Sequence, residues 1–175
     1  MTTMTLRRAA AALTATLAPA AVLVQAAEGH PAGPTPAAQH FTMSSRTVHG
    51  VDKPTRVRAT GPIRGAGPVK VPATAGRVNR FTFQLARGSV IAVAREHSSA
   101  SHPDLTRCID IETGRGHFKI TGGTRAFRHA TGKGTYTRRT TITGARDSSG
   151  KCLGQQATPI AIKTVTRMTG QAALR

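Results

Sequence analysis

Apolar and polar side chains take turns with a period of two through the stretch bounded by the chain's two cysteines, Cys108 and Cys152. Side chains on a strand point alternately to its two faces, so this period specifies half-buried strands. No stretch carries a convincing helical period. Within the segment, Ile109 and Ile111 precede the dipeptide Gly114-Arg115, and Phe118 and Ile120 follow it. Glycine at the first central position suits a type II′ turn, so the pattern predicts a hairpin there. In that register Glu112 faces His117 and Asp110 faces Lys119 on a solvated side. Ile111 faces Phe118 and Ile109 faces Ile120 on the core side.

The same alternation recurs along the chain. Phe81, Phe83 and Leu85 share one parity, and Ser89 to His97 returns beside them. A three-residue loop, Ala86-Arg87-Gly88, with glycine in the left-handed position predicts Phe83 by Ile91 and Phe81 by Val93, which turns Arg95 and His97 inward. A two-residue turn would turn Glu96 inward instead, but it would ask Arg87 to take a positive φ. Glycines and Thr124 break the pattern after Ile120, with Phe127 as the one large apolar residue in the break, so Phe127 is expected to plug one end of the core. Thr135 to Ile142 resumes it with Tyr136, Arg138 and Ile142 on one face, and Pro159 to Met168 closes the sheet. Seven or eight short strands separated by Gly/Pro turns predict an all-β fold, a closed antiparallel barrel of about eight strands.

The run Ile120, Gly122, Gly123, Thr124, Phe127, Ala130, Gly132, Gly134 resembles the Gly-Gly-Thr-Gly-Arg-Phe-x-x-Ala-x-Gly signature of the allene oxide cyclase and dirigent barrels. It is similar in particular to small secreted actinobacterial proteins with an allene-oxide-cyclase-like domain. The resemblance extends back over Arg80 to Phe83, Gly88, His97 and Asp104 to Cys108, and covers the chain from about Ser45 onward. It departs at Arg125 and Ala126, which hold the second-glycine and arginine positions, and at the bulky Arg128 and His129. The resemblance implies the same barrel and, as one functional alternative, an isomerase or cyclase. No catalytic residue of the plant enzymes has a matching position here.

At 175 residues the chain is expected to be one domain with processing segments. Met1 to Arg8 is a short basic head, Ala9 to Val24 an Ala/Leu/Val run, and small residues at Val24 and Ala26 set a cleavage point. This reads as a signal peptide over 1–26, followed by a disordered Ala/Pro-rich tail over 27–45 and the barrel domain over 46–175. The run is too short and weakly hydrophobic for an anchor, which predicts a secreted, extracellular protein without a membrane span after processing. In an exported chain two cysteines predict one disulfide, Cys108–Cys152.

Removing Arg7 and Arg8 leaves 23 basic residues against 7 acidic ones, about +16. That charge points to weak affinity for polyanions. The arginines are scattered along the sequence, with one Tyr and no Trp, so the interleaved aromatics of a single-strand nucleic-acid binder are missing. In Gly132-Lys133-Gly134-Thr135 a glycine, Gly134, holds the Ser/Thr position of a phosphate loop, and a strand pattern follows where that loop needs a helix. His97, His102 and Asp104 lie close in sequence without a metal-site pattern, and no metal or cofactor is implied. What remains is a candidate polar cluster in a barrel mouth, Arg95, His97, Tyr136 and Arg138, where arginine and tyrosine would grip a carboxylate and histidine would exchange a proton. The favoured role is therefore non-enzymatic binding of a small hydrophobic or carboxylated ligand. The enzyme alternative requires a buried ionisable pair beside an enclosed cavity of at least about 300 Å³. The polyanion alternative requires cations gathered on one face.

Overall fold

The structure is a computed structural model that describes residues 34–71, 78–154 and 157–175. The signal peptide expected over 1–26 lies outside the described residues. Among those described, eight strands form one closed antiparallel barrel in sequence order: β1 (Ala37–Val48), β2 (Val51–Thr60), β3 (Gly65–Lys70), β4 (Val78–Leu85), β5 (Gly88–Asp104), β6 (Ile109–Gly123), β7 (Thr131–Thr143) and β8 (Ala161–Ala173). β8 pairs back onto β1, so no sheet edge is left open. The only helix described is a single 3-10 turn, Arg125–Phe127. The all-β barrel read from the alternation is the observed fold.

The inward-facing parity fills the middle of the barrel. Phe41 and Met43 on β1, Phe83 on β4, Val90, Ala92 and Ala94 on β5, Phe118 and Ile120 on β6, and Met168 on β8 are all buried. The Phe41 ring lies 5.0 Å from Phe83 and meets Phe118 edge-on at 6.3 Å, an arrangement aromatic quadrupoles favour. Beyond this layer the core ends in Ile63, from the β2–β3 connection, and in Phe127, both almost fully buried. Phe127 is thus built into the core from within the break that follows Ile120.

Three readings from the sequence are corrected. The first concerns Gly114-Arg115, which is no turn. β6 runs straight through it and pairs along its length with β5 on one side and β7 on the other. Gly114 and Gly116 are glycines because neighbours press on them: a methyl at Gly114 would overlap the Glu96 carboxylate, and one at Gly116 would overlap the Tyr136 ring and the Arg95 carbonyl. Asp110 and Glu112 therefore share the inward parity of Phe118 and Ile120, while Ile109, Ile111, His117 and Lys119 face out.

The second correction is the β4–β5 connection. Leu85 pairs with Gly88, Phe83 with Val90 and Phe81 with Ala92, so the loop is two residues, Ala86-Arg87. Neither residue takes a positive φ; Gly88 does, at 139°. The objection to Arg87 in a short turn does not arise, and the register moves by one. Arg95 and His97 face outward and Glu96 faces inward.

The third is the start of the domain. β1 begins at Ala37, inside the segment read as a disordered tail over 27–45. Gln39, Phe41 and Met43 alternate with exposed His40, Thr42 and Ser44, a strand pattern hidden at the end of an Ala/Pro-rich run. β1 turns into β2 through His49-Gly50, whose φ values of 48° and 75° make the type I′ geometry that suits two-residue hairpins.

Candidate functional site

The two ends of the barrel are finished differently. The Ile63 end is sealed by Gln39, whose Oε1 accepts from Ile63 N at 2.9 Å and whose Nε2 donates to the Ile63 and Thr60 carbonyls, each at 2.9 Å. The opposite end is polar and open. There the inward positions become Tyr136, Arg138 and Thr140 on β7, Thr164 and Thr166 on β8, Glu96 on β5 and Glu112 on β6.

Arg138 is the hub of this layer. Its Nη2 reaches the two Glu96 carboxylate oxygens at 3.3 and 3.2 Å, and its Nε reaches Oε2 at 3.3 Å. Nη1 reaches Glu112 Oε2 at 3.4 Å and Thr140 Oγ1 at 3.2 Å. Thr140 and Thr164 hydroxyls complete the chain at 3.1 Å. The Arg138 and Glu96 side chains are 28% and 18% exposed, so the pair is shielded without being sealed off. Two carboxylates against one guanidinium leave the cluster with net negative charge.

Tyr136 sits just inside this pair, with its ring against Gly116 and its hydroxyl buried. The hydroxyl makes no hydrogen bond of proper geometry among the described residues, although the Glu96 carboxylate is near enough to act on it. Burial first, and then the Glu96 charge, push its pKa up to about 12 against the opposing pull of Arg138.

Above the pair lies a cavity of about 430 Å³ with Glu96, Arg138, Thr164 and Thr166 on its polar side. Met43 and Phe81 supply apolar walls, and exposed Val71 and Ser44 mark its rim. A second hollow of about 590 Å³ continues along the inner face where β5, β6 and β7 overshoot the barrel, next to the bonded cysteines. Asp104, Asp110 and Glu112 border it together with Pro103, Leu105, Ile142 and Pro159, and no Lys or Arg does. Cys108 and Cys152 form a disulfide with Cα atoms 5.4 Å apart, tying the β5–β6 connection to the β7–β8 connection at this end.

Of the four residues grouped from the sequence, the structure brings together two. Tyr136 and Arg138 sit in the mouth. Arg95 and His97 are exposed on the outer wall, where the His97 ring lies 5.2 Å from that of His117. The residues missed were Glu96 and Glu112, and the signal was available for both. Glu96 faces inward as soon as the Ala86-Arg87 loop is read as two residues, and Glu112 does so once Gly114 is read as a close approach. Among the described residues no three His, Cys, Asp or Glu side chains gather as a metal site.

No protein family model matches this chain, and the searches of curated proteins and of solved structures returned no significant match.

Proposed function

We propose that this chain is an exported barrel that binds one small, mainly apolar molecule in its open mouth, with a neutral hydrogen-bonding head against Glu96, Arg138 and Thr166. The observation that carries this reading is a cavity of about 430 Å³ with Met43 and Phe81 on one side and, on the other, a polar cluster whose one guanidinium is already paired with carboxylates. Ligand sites are hollows of this size with apolar walls and a few convergent polar groups. Arg138 already holds two carboxylates, so a carboxylated ligand would bring a third anion to one guanidinium. The apolar arm of the sequence expectation is therefore preferred to the carboxylated arm.

The allene oxide cyclase or dirigent resemblance supplies the rival reading, an isomerase or cyclase. The volume meets that reading's requirement, but the Glu96–Arg138 pair is only partly buried and the rim is exposed, where cyclisation of a reactive intermediate needs water kept out. Binding without turnover is the better fit. Export is supported by the Met1–Ala26 pattern and by a disulfide of the kind that persists in oxidising compartments. Secreted protein with Ala27 as its N-terminal residue, read by mass spectrometry, is the expected outcome; a mature chain retaining Met1 would remove the export reading.

The test of binding is calorimetric titration with dodecan-1-ol and with dodecanoate at fixed ionic strength. The alcohol is expected to bind with one-to-one stoichiometry, more tightly than the acid. Phe81→Asp is expected to weaken it at least about tenfold, since a charge would face the apolar tail. His97→Ala, on the outer wall, is expected to leave it unchanged. Preference for dodecanoate would restore the carboxylated arm, and binding of neither would exclude the reading.

A further inference from the structure

The arginines that look scattered along the chain are assembled by strand register. Side chains that pair across a barrel share its outer or inner face, so rows of paired residues can be read off directly. One outer row runs Arg115, Thr137, Arg167, Thr42 and Arg58 across β6, β7, β8, β1 and β2. The next row toward the mouth runs Thr113, Arg139, Val165, Ser44 and Arg56 over the same five strands. A third runs Ile111, Thr141, Lys163, Arg46 and Lys53. Eight of these fifteen positions are Lys or Arg, five are Thr or Ser, and none is acidic.

At about 4.8 Å between strands and about 6.8 Å per two residues, the three rows cover roughly 20 by 14 Å. All eight cations are exposed, and none makes an ion pair among the described residues. The carboxylate nearest in register, Asp52, pairs with Thr47 at the inward parity and accepts a hydrogen bond from its hydroxyl at 2.6 Å. The chain's other charge is sorted the opposite way: Glu96, Asp110 and Glu112 have the inward parity. Carboxylates that would neutralise the outer wall are held in the mouth.

We propose that this outer wall, β6 to β2 through β7, β8 and β1, is a docking surface for a flexible phosphodiester polymer, held by its backbone charge. Six of the eight cations are arginines, whose planar guanidinium suits phosphate oxygens, and the threonine hydroxyls between them are further donors. No aromatic residue occupies the three rows, so bases have nothing to stack on and single-stranded nucleic acid gains no advantage from them. The wall is convex, which a flexible chain can follow and a stiff duplex touches only along a narrow strip.

The experiment measures binding of the purified protein to a poly(glycerol phosphate) chain by fluorescence anisotropy across a salt series, with a 20-base-pair DNA duplex as competitor. Affinity is expected to fall about a hundredfold between about 50 and 200 mM salt, the mark of some four to five neutralised phosphates. The variant Arg56→Gln/Arg58→Gln/Lys163→Gln/Arg167→Gln is expected to lose most of that binding and most of the salt slope. A variant with the same loss of charge elsewhere, Lys70→Gln/Arg80→Gln/Arg87→Gln/Arg95→Gln, is expected to keep it within about threefold. Equal losses in both would show that net charge alone is responsible and would overturn the assignment of the surface, as would no binding at all. Tighter binding of the duplex would overturn the choice of a flexible partner.

Discussion

Gln39 is the residue whose chemistry is least visible in its type and most fully used in its place. It is completely buried, yet its carboxamide is paired with the Ile63 amide and carbonyl and with the Thr60 carbonyl. Leaving buried groups unpaired costs more than a hydrogen bond contributes. Gln39→Ala is therefore expected to destabilise the protein by about 2–4 kcal/mol in urea unfolding; a loss under about 0.5 kcal/mol would show that the Ile63 loop does not depend on it. Tyr136 offers a direct readout, because it is the only tyrosine in a chain without tryptophan. Its pKa is raised to about 12 in the folded protein against an ordinary value near 10. A phenol that holds its proton more tightly when folded contributes stability that is fully present below pH 10 and lost as pH rises from about 10 to about 12. Phenolate absorbance at 295 nm should stay absent at pH 10.5 in the native protein and be more than half developed in urea. Native titration near pH 10 would mean that the hydroxyl is not buried.

At the scale of the element, β6 shows how one residue type serves two opposite purposes. Glycine is read as a turn because it tolerates unusual backbone angles, and Gly114 was read that way. In the barrel Gly114 and Gly116 sit in the middle of a strand, where absence of a side chain lets Glu96, Arg138 and Tyr136 cross the interior. Gly116→Ala is expected to cost about 2–3 kcal/mol by overpacking against the Tyr136 ring and Arg95 carbonyl, measured by thermal or chemical unfolding. A neutral effect would favour the hairpin over the continuous strand. The two errors of register differ in origin: at Gly114-Arg115 a turn was placed in a continuous strand, and at Ala86-Arg87 a loop was counted one residue too long. A strand repeats every two residues, so miscounting a loop by one residue reverses every side chain beyond it. Arg95 and His97 were carried to the inside and Glu96 to the outside by that single step.

At the scale of the molecule, the disulfide and the charge distribution act on the same end. The Cys108–Cys152 bond closes a separation of 44 residues across the overshooting ends of β5 to β8. In the chain-entropy account such a loop stabilises by roughly 4 kcal/mol. C108S/C152S is expected to unfold at correspondingly lower urea concentration, with the dodecan-1-ol site weakened because the mouth loses its brace. An unchanged midpoint would mean that the sheet alone holds this end. Period-two alternation dictated strands, because it depends on neighbours in sequence, Gly/Pro spacing bounded their number at seven or eight, and the bridge followed because the chain has only two cysteines to pair. Phe83, Phe118, Tyr136 and Arg138 could all be placed inside on that basis. Tertiary structure alone decided that Glu96 and Glu112 converge on Arg138, and that Arg58, Arg167 and Arg115 stand in one row. These residues are 42, 26 and up to 109 positions apart in the chain, and only closure of the barrel makes β8 a neighbour of β1. Local periodicity constrains which face a residue takes; which residues it meets there depends on register between distant strands, which no local pattern encodes.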